Sequence, residues 1–388
     1  MRTIWISIFT ILLVGCSKPT ETSNLPAHIQ ELENVTVLSD LDPNGNVSFT
    51  ETTTYGEIYM RLLPPQLGFG PEMAVDKNGN VYRAEKGERK VLVFNDEGEL
   101  IHNVGRDGRG PGEFQSIVAL DIAENQLKVF DSSQSRISTF STSNFELLQT
   151  IPINATTWRD AIESGYLNPQ TVIALNNDLY LTSLRDENDD GSFHQEYYKM
   201  NQEGQIVSNK IIETSIKLSH TGTTKQGYST SIRPPYSTEG KISVSKDGQL
   251  FHINTGEFLI KKYDVDGHYL SSIYYPYQKE PLEKDEVLND YHPNMHPVFD
   301  NAEFPDTWPA LESLIVDDEE RTWVSTITED KSVRQWYILE ESGEVVASFS
   351  WPRNSDIKMI RNNKMYAEET DQEAGIKVIV GYDLEYSE

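Results

Sequence analysis

Six times along the chain a turn is followed by a residue pair that opens a strand. The clear instances are Gly79-Asn80-Val81-Tyr82, Asn125-Gln126-Leu127-Lys128, Asn177-Asp178-Leu179-Tyr180 and Gly248-Gln249-Leu250-Phe251. Two looser ones follow, Glu320-Arg321-Thr322-Trp323 and Asn363-Lys364-Met365-Tyr366. Gly and Asn suit a hairpin turn because both tolerate positive φ. A second turn, at Gly98, Asn144, Gly204, Gly267 and Gly343, tests the register. It follows the first by 19 residues in units one, two and four, by 27 in unit three and by 23 in unit five. Matching offsets between two independent anchors establish a repeat.

The units run approximately over 73–104, 117–151, 171–212, 241–276, 314–350 and 357–384. Each reads as four short strands, except the last, which ends after three. An exposed strand edge invites aggregation, so something must cover it. Val47 to Thr54, rich in Thr with an aromatic inside, is the candidate, and Gly56 then takes the place that Gly105 holds in the first unit. Four-stranded antiparallel units of this length arranged radially make an all-β fold, a six-bladed β-propeller whose last blade is closed by an N-terminal strand. The alternative is a seventh, degenerate blade in 277–313. That segment opens with a helix-like stretch, Glu280 to Leu288, and turns proline-rich, so it reads as an insertion like 212–240.

The formal charge is −28, from 33 basic against 61 acidic residues. Such a surface repels nucleic acid backbones and anionic lipid, and neither is expected as a partner. The first residues are a targeting segment. Arg2 precedes an apolar run, Ile4 to Val14, too short for a comfortable membrane span. Leu13-Val14-Gly15-Cys16 resembles the lipobox of bacterial lipoproteins, and Cys16 is the chain's one cysteine. The resemblance implies a signal peptide over 1–15, lipidation of Cys16, a flexible tether over 16–33 and a propeller over 34–388. Acyl chains on Cys16 would anchor the protein without a transmembrane helix. Ser17 after the cysteine implies, within that family, an outer-membrane address in the cell envelope.

Gly105-Arg106-Asp107-Gly108-Arg109-Gly110-Pro111-Gly112-Glu113-Phe114 looks like the G-x-x-G-x-G-P-G-x-F crossover of NHL-repeat propellers. Asp131 to Phe140 resembles that family's D-x-x-N-x-R-I-x-x-F strand pair, with Gln134 in place of Asn. More narrowly, 34–388 resembles the six-bladed propeller lipoproteins of Bacteroidota-like bacteria. The resemblance implies the fold and leaves the activity open, since propellers host many functions.

The crossover lacks the Lys-Ser/Thr of a phosphate loop and joins two strands, so its glycines read as structural. Such crossovers lie on the face where propellers bind, which makes Arg106, Arg109 and Arg136 candidate ligand-binding residues. Asp131 with Arg136, and Glu85 with Lys90, read as charge pairs across hairpins. Asp76, Asp121 and Asp317 end innermost strands, where a carboxylate can accept backbone hydrogen bonds and hold the turn. Asp186 to Gly191 matches the opening of a calcium loop, which makes Asp186, Asn188 and Asp190 candidate ligands for calcium. Glu196 falls one position early for the closing glutamate, and the flanks are strands. His292 and His296 are four apart, but Pro293 and Pro297 forbid the helix that a zincin pair needs. Trp308, Trp323, Trp336 and Trp351 read mostly as packing residues, with any exposed member able to stack on a sugar or peptide.

Two functions are consistent with these features. One is a lipid-anchored, monomeric binding or scaffolding module for a protein, peptide or glycan. The other is a metal-assisted hydrolase or lyase, lactonase-like, with its site at the mouth of the central channel. The mostly apolar innermost strands favour the first.

Overall fold

Each repeat folds as an antiparallel meander, because its inner strands are short, largely buried runs such as Met73–Val75 and Gln126–Asp131 and its turns carry the residues that turns demand. The computed structural model of the chain describes residues 25–59, 72–159, 162, 169–176, 178–188, 193–371 and 376–387. Blade one comprises Met73–Val75, Val81–Glu85, Lys90–Phe94 and Leu100–Val104. Blade two comprises Ile117–Ala123, Gln126–Asp131, Arg136–Ser141 and Leu147–Pro152. Blade three comprises Pro169–Ala174, Leu179–Glu187, Phe193–Asn201 and Ile212–Ser215. Blade four comprises Gly240–Val244, Leu250–Asn254, Leu259–Tyr263 and Tyr269–Tyr274. Blade five comprises Ser313–Val316, Thr322–Ile327, Val333–Leu339 and Val345–Pro352. Blade six takes Ser355–Arg361, Lys364–Asp371 and Ile376–Ser387, with Asn46–Tyr59 as its outermost strand.

That N-terminal strand pairs antiparallel with the C-terminal one from Asn46 opposite Ser387 to Tyr59 opposite Ile376, with bulges after Glu51 and Tyr55. It closes the ring as the repeat requires. The core is not central. It lies in six apolar layers, one between each pair of neighbouring blades, such as Tyr82, Val91, Val93, Leu127 and Val129 between blades one and two.

Two sequence expectations change. Val35–Val37 adds a fifth strand to blade four, parallel to Tyr269–Tyr274. Residues 25–33, read as the end of a tether, are packed: Ala27–Gln30 is one helical turn, and Ile29 is buried against Leu259 and Tyr274 with Leu25 and Leu32 beside it. Three apolar residues at near-helical spacing in a polar stretch are enough to dock it. The segment 277–313 forms no blade. It holds a helix, Lys284–Asn289, and a 3-10 turn, His296–Phe299.

The turns carry the predicted chemistry. Asp76 accepts from the Asn78 and Asn80 amides at 2.8 and 3.0 Å. Asp317 accepts from the Glu319 and Arg321 amides and from Trp323 Nε1 at 2.9 Å. Asp121 reaches further, bonding the Ala174 amide of blade three at 2.7 Å. The outer turns explain two glycines. A Cβ on Gly98 would lie 2.7 Å from the Thr54 carbonyl oxygen, and one on Gly204 2.4 Å from that of Pro152, each on the neighbouring blade's outermost strand. Both glycines have positive φ.

Gly204→Ala combines left-handed strain with backbone overlap and should cost about 3 kcal/mol. Thermal unfolding of the variant should show a clearly lowered midpoint. His252 provides a pH test. Burial pushes its imidazole from 6.5 down to about 4, where its Nε2 meets Thr214 Oγ1 of blade three at 3.1 Å. The unfolded chain therefore binds the proton first, so stability falls as pH drops from 6.5 towards 4. Urea unfolding at pH 7 and pH 4.5 should show this loss, and His252→Asn should reduce it.

Candidate ligand site on the crossover face

Antiparallel blades put the first-to-second and third-to-fourth turns at one end and the second-to-third hairpins at the other. The crossovers between blades share the second end. Among the described residues, the face so formed carries the two long insertions, one between blades three and four and one between blades four and five.

The glycine-rich crossover is held from below by the next blade's hairpin. Asp131, fully buried, accepts from the Gln115 amide at 2.7 Å, the Ser116 amide at 3.2 Å and Gln134 Nε2 at 2.7 Å. Gln134 Nε2 also donates to the carbonyls of Gly108 and Glu113, and Arg136 Nη2 to those of Gly110, at 2.6 Å, and Glu113, at 2.5 Å. Asp131 and Arg136 face one another in register, yet each serves the crossover backbone, which corrects their reading as a hairpin charge pair. Gln134 fills the Asn position because an amide can donate and accept there. Lys90 pairs with Glu88 and not with Glu85, whose Oε1 accepts from the Gly87 amide.

The three candidate arginines therefore separate. Arg136 is structural. Arg106 pairs with Glu113, Nε to Oε1 at 2.8 Å, and its side chain is 79% exposed. The Gly110 amide and the Arg106 guanidinium hold the Glu113 carboxyl below its usual range. Arg109 is exposed at the loop tip.

The two insertions pack on each other. A hairpin between blades three and four, His220–Thr223 with Ser229–Ile232, lies against the 3-10 turn: His220 Nε2 meets the Val298 carbonyl at 2.8 Å, and the Lys225 amide donates to Asn294 at 2.9 Å. Tyr236, Val287, Val298, Phe299, Trp308 and Ile327 form a separate apolar cluster beneath them. Asp290 of this cap holds Arg353 at 2.8 Å.

Arg353 belongs to the crossover from blade five to six. Lys217 and Arg233 belong to the insertion from three to four, and Lys241 to the innermost strand of blade four. Burial pushes the Lys217 ammonium below its usual range, opposed by Glu239 and reinforced by Lys241, Arg233 and Arg353. Lys217 thus lies within electrostatic reach of Arg233, Lys241 and Arg353, of which Lys241 pairs with Glu239 at 3.1 Å and Arg353 with Asp290. Beside Arg353 opens a cleft of about 300 Å³ lined by Trp351, Asn354, Ser355, Glu369, Thr370 and Tyr382. Trp351 and Tyr382 stand edge to face at 5.2 Å, and Trp351 Nε1 donates to Ser355 Oγ at 3.0 Å. Trp308, Trp323 and Trp336 are buried, so Trp351 is the half-exposed member of the predicted group.

The calcium candidates lie elsewhere. Asp186 sits within a blade-three strand opposite His194, Asn188 follows that strand, and Asp190 lies outside the described residues, as does Cys16. No helix among the described residues is long and apolar enough to cross a membrane. Sequence reasoning did not connect Lys217 with Arg233, Lys241 and Arg353, because they share no local pattern.

The family model DUF5128: 6-bladed beta-propeller matches residues 76–282. The chain belongs to this family. No curated protein matches it. Among solved structures, the DUF5128 propeller is similar to a Bacteroides fragilis protein at 9% identity and a TM-score of 0.45, covering 91% of this chain and 99% of that one. It is likewise similar to a member of the DUF4221 family from Bacteroides vulgatus, at 10% identity, a TM-score of 0.45 and coverage of 88% and 99%. A streptogramin B lyase follows at 11% identity, a TM-score of 0.39 and coverage of 87% and 100%. Likeness at this level says nothing of ligand or reaction.

The roles assigned to the crossover residues differ in their cost of removal. Asp131→Ala strands several buried donors and should cost about 3 kcal/mol, whereas Arg106→Ala breaks an exposed pair and should stay within about 0.5 kcal/mol. Denaturant unfolding of the two variants measures the difference.

Proposed function

We propose that this propeller is a lipid-anchored binding module of the cell envelope whose crossover face takes an acidic carbohydrate. One observation carries the reading: in a chain of charge −28, Lys217 lies within electrostatic reach of Arg233, Lys241 and Arg353, and Arg353 sits between Trp351 and Asn354 of an aromatic cleft. A carboxylated or sulfated sugar offers the two features such a site recognises. Its anionic groups suit Lys217, Arg233, Lys241 and Arg353, and its ring face suits Trp351 or Tyr382. Glu369, Asn354, Ser355 and Thr370 are hydroxyl partners of the kind that fix orientation in small-molecule sites. The cap formed by the two insertions borders the site through Asp290 and Arg353.

The anchor rests on the lipobox resemblance at Cys16. A metal-assisted reaction at the mouth would need His, Asp and Glu side chains converging there. Among the described residues the groups that converge closely enough to hold an ion lie in blade three and in a turn of blade four, so binding is the reading we favour.

Titration calorimetry with oligogalacturonate tests the ligand class. Saturable binding is expected, weakened about tenfold or more by Lys217→Ala combined with Arg353→Ala, and also by Trp351→Ala, but unchanged by Arg106→Ala. No binding by oligogalacturonate or a sulfated oligosaccharide, or binding indifferent to these changes, contradicts the proposal. Fractionation of cells producing Cys16→Ala tests the anchor. The variant should leave the membrane fraction.

A further inference from the structure

We infer that blade three carries a site for a divalent cation of the zinc class, formed by Asp186, His194 and Glu196. Asp186 and His194 are direct partners across the strands Leu179–Glu187 and Phe193–Asn201, and Glu196 follows His194 by two on the same face. One ligand atom from each lies within 4.8 Å of the others. A tetrahedral zinc ion sets its ligands about 3.3 Å apart, so small rotamer adjustments close the set.

The imidazole points to a cation. His194 is 9% exposed, and its Nδ1 has no hydrogen-bond partner among the described residues. Its Nε2 lies 3.5 Å from Glu196 Oε1 and 3.7 Å from Glu213 Oε2, too far for good hydrogen bonds. Buried polar nitrogens left in this state are costly, and a metal bond to one of them removes part of the cost.

Glu196 and Glu213 stand side by side here, both held by Lys210, at 2.8 and 2.6 Å. The Lys210 side chain is 42% exposed and can stay with Glu213 when Glu196 turns to a metal. Tyr198 donates to the other oxygen of Glu196 at 2.6 Å and fixes its orientation.

The ligand types choose the ion. A calcium loop built on Asp186, Asn188 and Asp190 would offer only oxygens. The set assembled by the sheet replaces two of them with an imidazole and a glutamate, and nitrogen with carboxylate suits zinc and its first-row neighbours. Three protein ligands leave a coordination position for water or a bound group.

Zinc titrated calorimetrically into the untagged, chelator-stripped full-length protein should show saturable uptake of one equivalent. His194→Gln and Glu196→Gln should each weaken it at least about tenfold. Lys210→Ala should tighten it by removing the competing cation, a result that a purely structural cluster would not give. Cobalt in place of zinc should give a visible absorption band that His194→Gln abolishes. The inference is overturned by an absence of saturable uptake, by uptake that His194→Gln leaves unchanged, or by a preference for calcium over zinc. Should His194→Gln fail to fold, Lys210→Ala decides: tighter zinc binding supports the site, and unchanged binding overturns it.

Discussion

The propeller depends on one strand pair that joins the two ends of the chain. Asn46–Tyr59 lies along Ile376–Ser387 over its whole length, and without it blade six would expose an edge and the ring would stay open. The closure does more than satisfy backbone groups. Tyr55, on the closing strand, is fully buried with Phe94 and Tyr366 at the seam between blades six and one, and the carbonyls of Tyr55 and Gly56 receive Arg83 Nη1 at 3.3 and 3.0 Å. Residues more than 300 positions apart must meet before these contacts form, so the chain carries a large loop-closure cost that only the finished ring offsets.

Much of this was legible in the sequence because the information is local and repeated. A turn that needs Gly or Asn, an acid that caps it and an apolar pair that follows all sit within a few residues, and Asp76 and Asp317 perform as their positions imply. The closing strand could be inferred because a three-stranded last unit leaves a gap. What escaped is non-local. Nothing in Val35–Val37 says that it will run parallel to Tyr269–Tyr274, and nothing in residues 216–233 says that they will meet residues 290–299. The pair Asp131 and Arg136 shows the same limit, since opposite charges in register suggested an ion pair while both groups serve a crossover that precedes them. Trp351 is the instructive intermediate. Composition alone could place it among packing residues, and only the cleft beside Arg353 separates it from Trp323 and Trp336.

The two ends of the ring are chemically different. At the turn end, strands are tied by buried acids and tight glycines that bring neighbouring blades into backbone contact. At the crossover end, the long insertions gather into a cap with an apolar cluster of its own, and basic residues from other segments act on Lys217. An acidic surface elsewhere keeps the molecule apart from polyanions in general. On the proposed reading, the basic residues around Lys217 attract an anion and the aromatic cleft adds a preference for a flat apolar face.

The central claim, that recognition belongs to the crossover face, is tested most directly by hydrogen exchange on the full-length protein with and without oligogalacturonate. The account predicts added protection in residues 216–241 and 351–355, with the turns at 76–80 and 95–99 unchanged. Protection confined to those turns, or to the outer strands of the blades, would contradict it.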